Sequence, residues 1–315
     1  MSYEVILELF NLRQVYVDEL IELAKQNSRI VCLDSDSKEA TMVDKFARLF
    51  KDRSFSFGIA EQNMVSIAGG MSTFGLIPFV NSYGMFIAMR ALDQVRNSIA
   101  YPNLNVKFVL SHHGLDSGAD GVTHQLTEDI SIFRSIPNIK LLQPLDSIEM
   151  KQIVKFAAKT KGPIIIKSGK SPVPNLHNME YEWKYGYPSL IADGEKVAII
   201  AVGPMVYRSI KARELIKEKL GFYPKILNLS SLTDVQVKEL LKFTEDIKFI
   251  VTVEDHSIYG GLGGIISEIF SENRPLNVFR IGLKNTFAEC GSPDELYQRY
   301  NMNENTIVKT IEQNL

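Results

Sequence analysis

Short runs of consecutive apolar residues alternate with longer stretches in which apolar positions recur every three or four residues, almost from one end of the chain to the other. Residues 30–33, 78–80, 106–110, 139–142 and 163–166 are runs of the first kind and predict strands buried on both faces. Between them, Met64, Ile67, Met71 and Phe74 follow the spacing of one helix face. Residues 174–195 break the rhythm. This stretch has Pro172 just before it and holds Pro174 and Pro188, the single tryptophan Trp183, and a tyrosine-rich run over 181–187. So many aromatics predict an ordered linker rather than free chain. The alternation then resumes, with strands expected at 197–202, 225–227, 249–253 and 277–281 and helices at 205–220, 233–243, 264–271 and 294–300. The pattern predicts an α/β fold in two domains, 1–186 and 187–315, each a mostly parallel sheet flanked by helices.

Composition narrows the class of function. A chain of 315 residues, 45% of them hydrophobic, builds its core without cross-links. Lys plus Arg is 35 against 37 for Asp plus Glu, a net charge of −2. That balance argues against a nucleic-acid binder held by phosphate neutralisation. The two cysteines, Cys32 and Cys290, lie far apart with no CxxC, which supports neither a disulfide framework nor a zinc site and points to a reducing compartment. The first ten residues carry Glu4 and Glu8 and no basic stretch, so no signal peptide is expected. No apolar run reaches membrane-spanning length, and the expected location is the cytoplasm, away from membranes.

Three loops carry candidate chemistry. The run from His112 to Gln125 follows a predicted strand and packs His112, His113, His124, Asp116 and Asp120 into the region where parallel sheets bind ligands. The plain alternative is a polar loop whose Asp and Gly residues only shape turns. Zinc is disfavoured there, because no HxxxH spacing or nearby cysteine accompanies the histidines. Gly58-Ile59-Ala60-Glu61-Gln62-Asn63 precedes a periodic helix; taken alone, Glu61 is an acid that favours the helix dipole. Tyr259-Gly260-Gly261-Leu262-Gly263-Gly264 looks superficially like a dinucleotide fingerprint. Its spacing is wrong and no ribose-binding acid follows about twenty positions on, so it reads as a tight turn and a packed helix start.

Taken together and in this order, these runs resemble the thiamine-diphosphate enzymes of the transketolase family, and more narrowly the second subunit of a split transketolase. Gly58 to Gln62 is similar to the family's pyrimidine-site motif, and Asp120-Gly121-Val122-Thr123-His124-Gln125 to its substrate-channel motif. Glu254-Asp255-His256 with the glycines after it, and residues 289–294, resemble its C-terminal domain. The resemblance covers essentially the whole chain.

The resemblance implies a task for each residue. Glu61 would share a proton with the pyrimidine ring nitrogen of the cofactor, acting as catalyst and cofactor ligand. Tyr83 and Phe86 would pack around that ring, although plain core packing is their ordinary reading; a third aromatic position of some transketolases is Met89 here. Asp120 and His124 would bind the donor sugar along the channel, His124 also taking part in catalysis. Arg13, His112 and Lys170 fall at the spacing of the family's phosphate contacts. Lys170 stands where the family has arginine, and Ala40 where it has a serine, so the phosphate pocket is altered. No Gly-Asp-Gly occurs, so no metal ligands are assigned to this chain. Mg²⁺ and the cofactor's diphosphate would be held by a separate subunit carrying that motif, in a heterotetramer of two plus two. The implied activity is transfer of a two-carbon ketol unit from a ketose, expected to be phosphorylated, to an aldose. A carboligase subunit similar to deoxyxylulose-phosphate synthase, whose family has aspartate at the position of His112, is one alternative. A non-catalytic regulatory subunit is another. The beta subunits of 2-oxo-acid dehydrogenases match less well, lacking the 120–125 pattern.

Overall fold

Thirteen strands in three sheets make up the described residues, 8–315, of the computed structural model. Glu4 lies outside them. Two strands, β1 (Leu9–Phe10) and β8 (Val173–Pro174), pair antiparallel and tie the start of the described chain to the end of the first unit. The first large sheet is entirely parallel. It comprises β2 (Ile30–Asp34), β3 (Ser54–Ser56), β4 (Ile77–Tyr83), β5 (Lys107–Ser111), β6 (Lys140–Leu142) and β7 (Ile164–Ser168), in the order β3-β2-β4-β5-β7-β6. Every residue of β2, β5 and β7 is buried, which is why these strands read as continuous apolar runs.

The second sheet contains β9 (Ser189–Ala192), β10 (Lys196–Ala201), β11 (Lys225–Asn228), β12 (Ile247–Ser257) and β13 (Asn277–Leu283), ordered β13-β12-β10-β11-β9. All pairs are parallel except β9 with β11. The expected α/β architecture with two mostly parallel sheets is therefore present. The linker is ordered as its aromatics predict. Trp183 donates through Nε1 to Ser230 Oγ at 2.9 Å, and Tyr185 stacks on Phe156 with ring centroids 5.2 Å apart. What periodicity misses is that this stretch also contains β9. A four-residue edge strand between Pro188 and Asp193 is too short to show a period. β3 escapes for a similar reason, since Ser-Phe-Ser at a sheet edge has little apolar surface to bury.

Helix ends follow local chemistry. Asn11 caps Leu12–Gln26 by accepting from Arg13 N–H, and Asp146 caps Ser147–Lys159 by accepting from the Ile148 and Glu149 amides. Ser292 and Glu295 form a capping box on Pro293–Arg299. The two units are not separate beads. One apolar cluster runs from Leu33, Val80 and Phe108 of the first sheet, through Phe133 and Leu141, to Leu227, Ile250 and Leu262 of the second unit. Among the described residues no helix is long and apolar enough to cross a membrane.

Candidate active site

The carboxyl ends of β4, β5 and β7 open onto one crevice. Tyr83 ends β4, His112 follows β5, and Lys170 follows β7. His112 sits with φ at +56°, a conformation that turns its ring back over Tyr83, centroid to centroid 4.2 Å. Its Nδ1 shares a hydrogen bond with Ser111 Oγ at 2.9 Å. Burial, then the charges of Arg13 and Lys170, push its pKa down to about 3, so the ring is neutral at pH 7. Its Nε2 stands 3.8 Å from Asp120 Oδ2.

Asp120 is the hub of the polar side. Lys170 Nζ donates to Asp120 Oδ2 at 2.8 Å and to Ser117 O at 3.1 Å. Partial burial works to raise the Asp120 pKa, but the Lys170 hydrogen bond and charge prevail and hold it below the usual range. Arg13 reaches the same place from the first helix. Its Nη1 donates to Ala40 O at 2.6 Å and its Nη2 to Lys170 O at 3.0 Å, while Nε is buried without a partner. The structure thus brings Arg13, His112, Asp120 and Lys170 together. Much of Arg13's donor capacity is already spent on backbone carbonyls, which spacing alone does not reveal.

The apolar side lies next to them. His124 meets Tyr83 and Phe86 edge-on, each centroid 5.2 Å away, and its Nδ1 bonds Thr123 Oγ1 at 2.9 Å. Beyond Phe86 stands Arg90, its guanidinium 4.0 Å over the ring and 3.5 Å from Glu61 Oε1. Glu61 opens the helix Glu61–Thr73 and is only 3% exposed, whereas Arg90 is half exposed and Met89 lies open to solvent. The eight predicted side chains therefore lie along one crevice, Glu61 joining the others only through Arg90. A buried carboxylate paired with a half-exposed arginine, beside two part-exposed aromatic rings, fits an aminopyrimidine. The donor set for a metal-bound diphosphate is different. Among the described residues no group of three or more His, Cys, Asp or Glu side chains stands close enough to hold a metal ion.

Beneath this strip lies a layer that the sequence motifs only hinted at. Lys167 and Asp129, both 1% exposed, pair at 2.9 Å; burial would raise the Asp129 pKa, but Lys167 outweighs it. His113 and His256 flank them, pushed down to about 3 and about 4 chiefly by burial. Glu254 accepts from the Leu262 amide at 2.6 Å and the Gly263 amide at 2.9 Å, at the start of the helix Leu262–Asn273. The glycine run there is thus a tight turn and helix start, as its spacing predicts, with its free amides taken by a carboxylate rather than offered to a phosphate. Asp255 accepts from the Leu115 and Asp116 amides at 2.8 and 3.0 Å and from Tyr297 OH at 2.8 Å. Burial raises Glu254 to about 7 and Asp255 to about 6, against the pull of these hydrogen bonds. Sequence reasoning missed Arg90 and the separate tasks of Asp116, Glu254 and Asp255. Arg90 carries one usable signal, a charge in an otherwise apolar run next to Phe86.

Comparison with known proteins bears on this geometry. Family models described as the transketolase pyrimidine binding domain and the transketolase C-terminal domain match residues 9–175 and 186–307. The chain is 34% identical to the 6-deoxy-6-sulfo-D-fructose transketolase subunit SqwH of Clostridium sp., over 98% of this chain and 95% of that one. A solved structure titled "Split gene transketolase, inactive beta4 tetramer" superposes with a TM-score of 0.88 at 34% identity, covering 96% of this chain and 97% of its own. The 1-deoxy-D-xylulose-5-phosphate synthase of Caldanaerobacter subterraneus subsp. tengcongensis is 33% identical over 94% of this chain, but only 48% of the synthase is matched.

The raised Glu254 carboxyl has a testable consequence. A carboxyl whose folded pKa exceeds its unfolded value stabilises the native state fully in acid, and that contribution is lost as pH rises through the folded value. The stability advantage of wild type over Glu254→Gln should therefore shrink by about 2–3 kcal/mol between pH 5 and pH 8. Urea unfolding of both proteins at the two pH values measures it, and the histidines, common to both, cancel. A gap independent of pH would mean that Glu254 titrates like an ordinary glutamate.

Proposed function

The chain belongs to the transketolase family, and we propose that it is the pyrimidine- and sugar-binding half of a thiamine-diphosphate-dependent transketolase whose other half is a separate subunit. The observation that carries this reading is the crevice running from Glu61 through Arg90, Phe86, Tyr83 and His112 to Asp120, Lys170 and Arg13, in a sequence with no Gly-Asp-Gly motif. The partner would supply the Mg²⁺ and diphosphate ligands, and two copies of each chain would make the active assembly. The structural relative titled as an inactive beta4 tetramer supports the view that such a chain without its partner does not turn over. We place the domain boundary at residues 186 and 187, which the two family matches, ending at 175 and beginning at 186, support. A reducing, cytoplasmic setting completes the proposal, with Cys32 and Cys290 both unpaired.

When bound, the cofactor supplies the nucleophilic carbon and the electron sink for carbon–carbon cleavage. This chain's residues do the rest. The Glu61 carboxyl exchanges a proton with the pyrimidine ring nitrogen, and its burial keeps competing water away from that bond. Arg90, paired with Glu61 and lying over Phe86, would have to give way to the pyrimidine ring, which Tyr83 and Phe86 would pack against. His124, edge-on to both aromatics, and Asp120, oriented by Lys170, face the hydroxyls of the donor sugar. His112 is neutral at pH 7, so it serves as a hydrogen-bonding partner and not as a cation. Arg13 and Lys170 remain as the positive charges at the mouth, suited to a ketose carrying an anionic end group. The synthase-like alternative is less well supported, because relatives of that kind match over only about half of their length.

Two substitutions test this reading in the two-subunit assembly. Glu61→Gln should leave folding and assembly intact and lower kcat on the order of 10²-fold or more, because an amide cannot cycle the proton. Activity within a few-fold of wild type would return Glu61 to a helix-start role. Arg13→Ala should raise KM about tenfold for a ketose with a phosphate or sulfonate end group, leave kcat nearly unchanged, and barely affect an uncharged ketose. Equal losses on both substrates would make Arg13 a structural anchor for the Lys170 loop.

A further inference from the structure

Hydrogen bonds beneath the crevice link the C-terminal unit to the sugar-binding side chains in a continuous series. Asp255 lies on β12 and is 3% exposed. Both of its carboxylate oxygens accept backbone amides of the first unit, Leu115 N–H on Oδ1 and Asp116 N–H on Oδ2, and Oδ2 also accepts Tyr297 OH. Asp116 repeats the arrangement one step on: its carboxylate accepts the Lys170 amide at 2.5 Å and the Ser171 amide at 3.0 Å. Lys170 then holds Asp120 and Ser117 through Nζ and Arg13 through its carbonyl. Two buried carboxylates in series thus connect the second unit to Lys170, Asp120 and Arg13.

The backbone at both steps is built for this approach. Gly114 has φ at +62°, and a Cβ there would collide with the Asp255 carboxylate and carbonyl. At Gly169 a Cβ would come within 2.9 Å of Asp116 Oδ2. Asp255 is itself held from behind. Tyr297 carries Arg208 over its ring at 4.4 Å, and Arg208 pairs with Asp294 and Glu304. A second contact runs parallel to the first, Gln125 Nε2 donating to Glu289 O at 3.0 Å, so the segment after β13 grips the other end of the same loop.

We infer that Asp255 is a positioning residue for sugar binding, acting through Asp116 on Lys170 and Asp120. The C-terminal unit, which contributes no side chain to the crevice strip described above, thereby sets where the donor's hydroxyls and end group are held. The kinetic part of this inference rests on the proposed transketolase reading; the structural part does not. Misplacement of binding groups by as little as 1 Å is enough to cost large factors in rate or affinity, so a distant carboxylate matters here.

Amide hydrogen exchange on the ¹⁵N-labelled full chain, read residue by residue, separates a relay from simple interface packing. In Asp255→Asn the Leu115 and Asp116 amides should exchange about tenfold faster or more, and the Lys170 and Ser171 amides, which do not touch residue 255, should accelerate several-fold with them. Amides of Ile199 and Val251 in the second sheet should keep their protection. Acceleration confined to residues 115 and 116, or a uniform acceleration throughout, would overturn the relay. Tyr297→Phe retains the carboxylate while loosening it, and should give the same pattern at smaller amplitude; it decides the matter if Asp255→Asn does not fold. In the two-subunit assembly Asp255→Asn should raise KM for the donor ketose about tenfold with kcat changed less than about threefold. A loss in kcat at unchanged KM would contradict the inference. Absence of transketolase activity in the wild-type assembly would instead overturn the functional reading and leave the exchange result to stand on its own.

Discussion

A carboxylate 3% exposed to solvent survives in a protein only if donors surround it, and Asp255 obtains two of its three donors from the other unit of the chain. That constraint fixes much else. The 114–116 backbone must come close enough to donate two amides, which requires glycine at 114 in a left-handed conformation. Once that loop is fixed, Asp116 is placed to take the Lys170 and Ser171 amides, and the β5 and β7 loops become a single surface. The shared apolar cluster brings the units together without direction; the Asp255 carboxylate on the 115 and 116 amides gives the contact its register.

The same burial shapes the chemistry above. His112 and His113 are held neutral because charging them would place a cation in a dry layer already containing Lys167 and, nearby, Arg13 and Lys170. Asp120 keeps its charge because Lys170 is at 2.8 Å. The result is a crevice with one end cationic, a centre where His124 and the neutral His112 meet aromatic rings, and a buried acid at the far end. Such a gradient suits a substrate with an anionic end group, a polyhydroxyl middle and a reacting carbonyl next to a cationic heterocycle.

The fold class, and the grouping of the candidate side chains in one crevice, were legible in the sequence, for different reasons. The central strands of both sheets are buried on both faces, so their apolar runs stand out, and β2, β5, β10 and β12 lie where those runs predict. Edge strands β3 and β9 were not legible, being short and only partly buried. Tyr83, His112, Asp120 and His124 could be found because motifs preserve chemistry at fixed spacing. Arg90 belongs to no motif, and its place over Phe86 depends on the helical path of Gly84–Met89. Asp255 was visible as part of a motif but its task was not, because its partners are backbone amides about 140 residues earlier. Backbone amides leave no trace in a sequence.

The claim at the centre of this account is that the active site is divided between two polypeptides, with this chain holding the pyrimidine and the sugar and the partner holding the metal and diphosphate. Calorimetric titration of thiamine diphosphate with Mg²⁺ tests it most directly, with this chain alone, the partner alone, and the two mixed. The account predicts no binding tighter than about 0.1 mM to this chain by itself and Kd on the order of 1 μM in the mixture. Mg²⁺-dependent micromolar binding to this chain alone would contradict it.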